Sequence, residues 1–330
     1  MSSVSRKKGL ALLSGGLDST LAVKMMVDQG LEIEAFHFTT PFCSCEVCAV
    51  NRLGEELGIP VHFVNAGQDF LDMVADPTHG YGTQMNPCID CRIHMLRKAK
   101  KIGDEIGAEF YITGEVLGQR PFSQRRRAMA LIESEAGLNG KILRPLSAKL
   151  LPKTDIEEGG IVDREALYAF KGRRRVPQMK LAEELGVQDY SCPAGGCLLT
   201  DPHFAKKLRD TLTHEGRLNL EDTIFLRLGR HFRLEGVKAI IGRDERENKI
   251  LEALAQRREL AWMEVDGHMG PVTTLLGEPN KEILRIAAAI TARYSDAPQD
   301  MIVKVKCNVR EIGIIETTSM SDKDLEQYRV

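Results

Sequence analysis

The sequence predicts an α/β protein, a doubly wound parallel sheet followed by a smaller α+β domain. Three observations carry that reading. Apolar, strand-like runs alternate with helical stretches through the first two-thirds of the chain, the order that parallel βαβ units require. From about Thr223 the pattern shifts to short alternating strands interrupted by helices. A length of 330 residues, with 43% hydrophobic and 28% charged side chains, suffices for two globular domains. The expected division is a first domain over 1–205, a linker helix over 206–222 and the α+β domain over 223–330.

The elements follow in order. Leu10–Leu13 and Ile33–Phe38 read as strands flanking a helix, Leu17–Gln29, that stops at Gly30. Asn51–Leu57 is helical by its pattern, and Gly58-Ile59-Pro60 turns it into the strand Val61–Val64. The long amphipathic stretch Cys91–Ile106 precedes the strand Phe110–Thr113. Residues 114–175 give little periodicity; Gln178–Leu185 and His203–His214 read as helices. In the second domain, strands are expected at Phe225–Leu228, Val237–Ile241, Ala261–Val265, Val272–Leu276 and Ile302–Val309, with helices at Asn248–Ala255 and Lys281–Thr291. No internal repeat or low-complexity segment is seen.

Composition narrows the function classes. No apolar run approaches the roughly 20 residues of a membrane span. The basic stretch Met1–Lys8 runs directly into a strand and not into a signal-peptide core, so the cytoplasm is the expected location. A formal net charge of −2 is neutral on nucleic acid, and any RNA binding must rest on local patches.

The sharpest motif is Ser14-Gly15-Gly16-Leu17-Asp18-Ser19-Thr20, between the first strand and the first helix. A strand entering a Gly-Gly turn and then a helix presents backbone N–H groups at the positive end of the helix dipole, a site for phosphate. Ser14, Ser19 and Thr20 offer hydroxyls. Asp18 repels a bare phosphate, so its presence calls for a divalent cation between them. The Gly-Lys-Ser/Thr ending of a Walker A loop is absent. The bland alternative is an ordinary Gly-rich βα turn.

Cysteines form the second signal. Seven of eight fall in three tight groups, Cys43/Cys45/Cys48, Cys88/Cys91 and Cys192/Cys197, with Cys307 alone in an alternating run and expected as a buried or edge-strand residue. Disulfides are not expected in a cytosolic chain, so the grouping points to metal or sulfur chemistry. Cys43-Ser44-Cys45-Glu46-Val47-Cys48 is dense enough for metal. Three ligands leave a tetrahedral zinc site open, with His37, His62 or Cys192 as a fourth. A structural zinc, a second part of a cluster site and metal-free thiols all stay open there.

SGGxDS resembles the pyrophosphate loop (PP-loop) of the ATP pyrophosphatase superfamily, whose members cut ATP to AMP and pyrophosphate to activate a carbonyl oxygen. The resemblance implies a sheet of the HUP/PP-loop type and ATP with Mg²⁺ at Ser14, Gly15, Gly16, Asp18, Ser19 and Thr20. Asn86-Pro87-Cys88-Ile89-Asp90-Cys91 resembles the NPxxxC signature of tRNA-specific 2-thiouridylases. That similarity implies catalytic thiols at Cys91 and at Cys197, in Pro193-Ala194-Gly195-Gly196-Cys197. Cys192–Cys197 is also similar to the paired-cysteine segment of tRNA 4-thiouridine synthases. Cys88 stands where the 2-thiouridylases usually carry aspartate, and the resulting CxxC resembles cluster-dependent thiolases, implying a 4Fe–4S cluster on Cys88, Cys91 and Cys197, with Cys192 as substitute. Three thiolates would leave one iron open for sulfide. A persulfide relay between Cys91 and Cys197 is the competing mechanism. Lys153 resembles a lysine of the PL…K segment in the same families.

RNA contacts are expected from Arg125-Arg126-Arg127 and Arg173-Arg174-Arg175, although charge runs are often plain solvated faces. Residues 224–310, with Ile241–Asn248 before a helix, Trp262 and the turn Gly267–Gly270, resemble the RNA-binding domain of NFACT-type proteins, which are associated with ribosome quality control. Met263 stands where that family has a histidine. The similarity implies backbone contacts from Arg227, Arg230, Arg233, Arg243 and Arg246; a packing or dimerisation role is the alternative.

The expected function is therefore an ATP-dependent tRNA thiouridine synthase, with tRNA and a sulfur donor, sulfide or a cysteine desulfurase, as partners. A sulfur transferase of the same superfamily acting on a small molecule or cofactor, a non-enzymatic RNA-binding module and an ammonia-using ligase are the rivals. The sequence shows neither the N-terminal RNA-binding domain and rhodanese tail of 4-thiouridine synthases nor the C-terminal barrel of 2-thiouridylases. The modified position and the oligomeric state stay open.

Overall fold

The computed structural model describes residues 7–43, 47–188, 190, 196–309 and 312–330. The chain divides into two units, Met1–Asp201 and Pro202–Val330. The first unit runs β1 (Lys8–Leu12), α1 (Leu17–Asp28), β2 (Glu32–Thr39), α2 (Val47–Leu57), β3 (Val61–Asn65), α3 (Gln68–Ala75), α4 (Cys88–Ile106), β4 (Phe110–Thr113), α5 (Arg126–Ala136), β5 (Ile142–Leu143), α6 (Asp155–Glu158) and α7 (Val176–Glu184).

Its five strands are all parallel, in the order β3-β2-β1-β4-β5. Strands covered on both faces read as unbroken apolar runs, and β4 (Phe-Tyr-Ile-Thr) is buried throughout, as is β1 from Gly9 onward. Edge strand β3 is half-exposed, with Phe63 turned outward. Helices α1 and α7 pack against the sheet through Leu17, Leu21, Met25, Leu181 and Ala182. Because the chain order reverses between β2-β1 and β1-β4, the loops after β1 and β4 flank the switch point where ligands bind in such sheets.

The second unit contains α8 (Pro202–Glu215), α9 (Asp222–Arg227), β6 (Arg230–Leu234), β7 (Val237–Ile241), α10 (Glu245–Arg257), β8 (Ala261–Val265), β9 (Thr273–Leu276), α11 (Lys281–Arg293), β10 (Val303–Cys307), β11 (Ile314–Thr317) and α12 (Asp322–Leu325). Its six strands form one antiparallel sheet ordered β11-β10-β8-β9-β7-β6. The fold class is thus the expected one, a parallel sheet flanked by helices and a separate α+β unit.

Local expectations fail in three places. Phe225–Leu228 belongs to helix α9 and its C-terminal end, not to a strand, because Thr223, Phe225 and Leu226 need burial on one side of a short turn. Strands β6 and β11 were not expected; charged residues break their alternation, and those of β6 are compensated by Arg230 stacked 4.6 Å over Tyr294 and Arg233 paired with Asp210. The stretch expected as a linker helix begins earlier, at Pro202, and clusters with the second unit: Lys238 on β7 donates to the Lys207 carbonyl (3.1 Å) and Thr211 Oγ1 (2.6 Å). Cys307 is buried in the inner strand β10.

Candidate nucleotide and thiol site

The loop after β1 has the local geometry that phosphate binding requires. Gly15 sits at φ +74°, a left-handed conformation open mainly to glycine, and Gly16 is the N-cap of α1 with no side chain capping the first turn. The hydroxyls are used unequally. Ser19 Oγ and Thr20 Oγ1 donate to the Gly16 carbonyl (2.9 and 3.1 Å), and Ser14 Oγ lies 3.0 Å from Ser19 Oγ. Thr20 is fully buried, so it braces the turn and its hydroxyl does not reach a ligand, whereas Ser14 is exposed.

β4 closes the loop from the other side. A Cβ on Gly114 would stand 2.4 Å from the Asp18 carbonyl carbon and the Ser19 nitrogen, so only glycine lets the strand end meet the first turn of α1. Asp18 Oδ2 accepts from Gln119 Nε2 at 2.7 Å, while Oδ1 is buried without a hydrogen-bond partner. A buried carboxylate oxygen left open is a fitting hard ligand for Mg²⁺.

Glu115, two residues past β4, anchors a buried network. It accepts from Arg144 Nε (3.0 Å) and Thr113 Oγ1 (3.2 Å), has Arg92 at 3.5 Å, and Arg144 also pairs with Glu133. Burial alone would raise the Glu115 pKa; Arg92 and Arg144 outweigh it and hold the carboxyl below its ordinary value. Lys153 lines a cavity of ≈160 Å³ beside this network, together with Arg126 and Arg144.

The cysteine groups converge through backbone hydrogen bonds. Leu198 N donates to the Phe42 carbonyl (3.0 Å), setting Cys197 beside the Phe42-Cys43 turn, and Met85 N donates to the Leu199 carbonyl (3.1 Å), setting it beside the Asn86–Cys91 segment. His79 holds that segment from below, with Nδ1 3.0 Å and its backbone N–H 3.1 Å from the Asp90 carboxylate, and Nε2 2.9 Å from Glu135. Cys88, Cys91 and Cys197 are free and partly exposed. The Cys91 sulfur nonetheless lies against Met95 Sδ (3.9 Å), and desolvation pushes its thiol up to about 12, with Arg92 and Arg120 opposing and the charges of Cys88 and Cys197 adding. Burial raises Cys197 too, again with Cys88 as a contributor. Protonated, Cys91 and Cys197 are poor nucleophiles, and a bound cationic cluster ionises coordinating thiols outright, so the thiol donors have the chemistry that a cluster requires. Among the described residues no three His, Cys, Asp or Glu side chains already converge as a metal-holding group.

The remaining thiols differ from expectation. Cys43 is disulfide-bonded, contrary to the reduced state expected, and a disulfide sulfur is not a thiolate ligand, so the zinc set Cys43, Cys45 and Cys48 lacks one of its members here. Cys48 is free and exposed; Cys45, Cys192 and Pro193–Gly195 lie outside the described residues. Of the three expected fourth ligands, His62 Nε2 is bound to Glu34 (2.6 Å), whereas His37 donates Nδ1–H to the Leu13 carbonyl (2.8 Å) and keeps a buried Nε2 with no hydrogen-bond partner.

The arginines separate into two kinds. Arg125, Arg127, Arg173, Arg174 and Arg246 are exposed, and Arg126 is exposed while donating to the Leu150 carbonyl at 2.6 Å. Arg243 is held by both oxygens of Glu247 (3.0 and 3.1 Å), and Arg233 by Asp210 and Glu215, so these two are poorer backbone contacts than expected. Arg175 lies 3.9 Å from Asp18 Oδ2 inside the loop site. Sequence patterning missed Arg92, Arg120 and Gln178, none of which stands in a motif or a charge run, and gave no role to Arg144, which lies in Leu143-Arg144-Pro145-Leu146 before the PL…K lysine.

The strand, Gly-Gly turn, uncapped helix and open aspartate oxygen give the first unit the local geometry of a phosphate-binding loop. More particularly, residues 4–159 match the family of thiamine biosynthesis protein (ThiI), and residues 229–329 match the NFACT protein RNA binding domain. A probable tRNA sulfurtransferase of Finegoldia magna is 34% identical over 154 residues, 46% of this chain and 38% of its own length. A tRNA-specific 2-thiouridylase MnmA of Syntrophotalea carbinolica is 28% identical over 117 residues, 32% of this chain and 33% of its own. The chain thus spans well under half the length of these curated relatives. A solved 4-thiouridine synthetase in complex with RNA and ATP aligns over 67% of this chain and 52% of its own, at 24% identity and a TM-score of 0.39. No helix among the described residues is long and apolar enough to cross a membrane.

Proposed function

We propose that the chain is an ATP-dependent tRNA thiouridine synthase acting in the cytoplasm. The observation that carries the reading is the pairing, within one unit, of an uncapped α1 N-terminus behind the Gly15-Gly16 turn with the free cysteines Cys88, Cys91 and Cys197, whose segments are joined by the Met85–Leu199 backbone hydrogen bond. The matches to ThiI and to an NFACT RNA-binding domain, and relatives named for sulfur transfer to tRNA, support it.

In this reading the ATP phosphates lie against the first turn of α1 and Ser14, and Asp18 Oδ1 holds Mg²⁺. The uracil carbonyl oxygen attacks the α-phosphorus, and the α–β bridging bond breaks with its electron pair leaving on pyrophosphate. The adenylated carbon then takes sulfur, and AMP departs with the original carbonyl oxygen. Cys88, Cys91 and Cys197 are the residues for a 4Fe–4S cluster, which when bound supplies sulfide as the nucleophile. The sulfur itself comes from free sulfide or a cysteine desulfurase. Arg125, Arg127, Arg173, Arg174 and Arg246 take the tRNA backbone; being exposed, they contribute a salt-dependent share of affinity.

The test is conversion of α-labelled ATP to AMP with and without unmodified tRNA. AMP formation that requires tRNA and disappears in Asp18→Asn supports the reading. AMP formation indifferent to tRNA overturns the RNA acceptor and favours a small-molecule sulfur acceptor.

A further inference from the structure

We propose that Arg175 receives the phosphates of the bound nucleotide and is not, like Arg173 and Arg174, an RNA contact. The proposal rests on the PP-loop reading and adds to that site a residue from a segment far away in sequence.

Its basis is the way two loops are fastened together over Asp18. Phe170 N donates to the Leu146 carbonyl (2.8 Å), Ser147 Oγ to the Phe170 carbonyl (2.7 Å), and Gly172 N to the Leu117 carbonyl (2.8 Å), so the segment entering α7 is pinned to the loop after β4. That loop carries Gln119, which donates to Asp18 Oδ2 at 2.7 Å. Gln178, one turn into α7 and only 1% exposed, donates in turn to Gln119 Oε1 at 3.4 Å, and its own Oε1 is buried without a partner. Arg175, at the N-cap of α7, thereby comes to 3.9 Å from Asp18 Oδ2 with its side chain 27% exposed.

Charge then decides what Arg175 does. Among the described residues, Asp18 is the one carboxylate paired with Arg175, and Gln119 and Gln178 are neutral. A long, partly exposed ion pair of this kind contributes little, so exchanging it costs little. When Mg²⁺ takes the Asp18 carboxylate, the guanidinium loses its anion beside the phosphates that the cation accompanies. A planar guanidinium suits phosphate oxygens in a two-point contact and is placed to offset charge on the departing pyrophosphate. Arg173 and Arg174 are exposed, and no carboxylate pairs with them among the described residues.

Calorimetric titration of the full chain with Mg·ATP, beside tRNA affinity at fixed salt, separates the two roles. Arg175→Met is expected to weaken Mg·ATP about 10- to 100-fold, the range for a lost hydrogen bond to a charged group, and to leave tRNA affinity within about twofold. Arg175→Lys, which keeps the charge, recovers part of the loss and serves as the readout if the methionine variant unfolds. Arg174→Met shows the opposite pattern. Unchanged Mg·ATP affinity in both Arg175 variants, with tRNA weakened as in Arg174→Met, overturns the proposal. Asp18→Asn keeps the two readings apart: if it also binds Mg·ATP normally, the PP-loop reading itself has failed, and if it alone is impaired, only the role of Arg175 has.

Discussion

Replacing Gly114 by alanine tests whether the nucleotide loop depends on the contact between β4 and α1. The added methyl would stand 2.4 Å from two backbone atoms of the Asp18–Ser19 peptide and 2.5 Å from the Asp18 carbonyl oxygen. Comfortable contact begins at about 3.5 Å, so the two segments must part by about 1 Å. Neither gives easily: β4 is buried between β1 and β5, and α1 is locked by Leu17 and Leu21. Overpacking of this kind costs about 1–3 kcal/mol. At about 2–4 °C per kcal/mol for a unit of this size, thermal unfolding shifts down by about 2–12 °C. The displaced atoms belong to Asp18, the residue proposed to hold Mg²⁺, so Mg·ATP affinity is expected to fall with stability, and a shift near 1 Å is enough for up to about a hundredfold in rate. The assay is circular-dichroism melting with calorimetric titration of Mg·ATP, using Gly107→Ala as comparison. Gly107, unlike Gly114, is left-handed (φ +74°) and has nothing within 4 Å, so its variant loses stability and keeps nucleotide affinity. A Gly114→Ala protein that melts and binds like the wild type refutes the reasoning.

Three further outcomes are expected. Arg144→Met strands the buried carboxylate of Glu115 and costs about 3–5 kcal/mol in urea unfolding; a loss below about 1 kcal/mol contradicts the network. Burial raises the Asp210 pKa, but Arg233 and Lys238 overcome this and hold it below 3.8. Stability from this depressed carboxylate is complete above the unfolded value near 4 and is lost as pH falls through the lower folded value. Melts followed by the fluorescence of Trp262, the one tryptophan, should therefore decline below about pH 4, and less steeply in Asp210→Asn; equal slopes would sink the assignment. Cys91→Ser should abolish thiolation with an unshifted melting temperature, whereas Cys307→Ser, in the inner strand β10, should keep thiolation; thiolation by Cys91→Ser rules out its catalytic role.

Much of the fold was legible because the parallel strands are buried on both faces. Leu10–Leu13 and Phe110–Thr113 announce themselves as apolar runs, and Gly30 and Gly107 mark where helices stop. Phe225–Leu228 was misread because four residues, Phe-Leu-Arg-Leu, are too few to carry a period that separates strand from helix. β6 hid behind Arg230 and Arg233, whose partners Tyr294, Asp210 and Glu215 are remote in sequence. The same limit governs the site. The Gly-Gly turn and Asp18 are contiguous and readable, but the bond from Gln119, the buried Gln178 and the approach of Arg175 are tertiary facts. A triple arginine looks uniform in sequence; only folding sends its third member inward.

The most direct measurement is mass spectrometry of nucleosides from unmodified tRNA incubated with anaerobically reconstituted protein, ATP, Mg²⁺ and sulfide. The expected result is a thiouridine that disappears in Asp18→Ala and in Cys91→Ser, its mapped position identifying the uridine modified. Pyrophosphate release by an iron-loaded protein without any thiolated base contradicts tRNA as the acceptor.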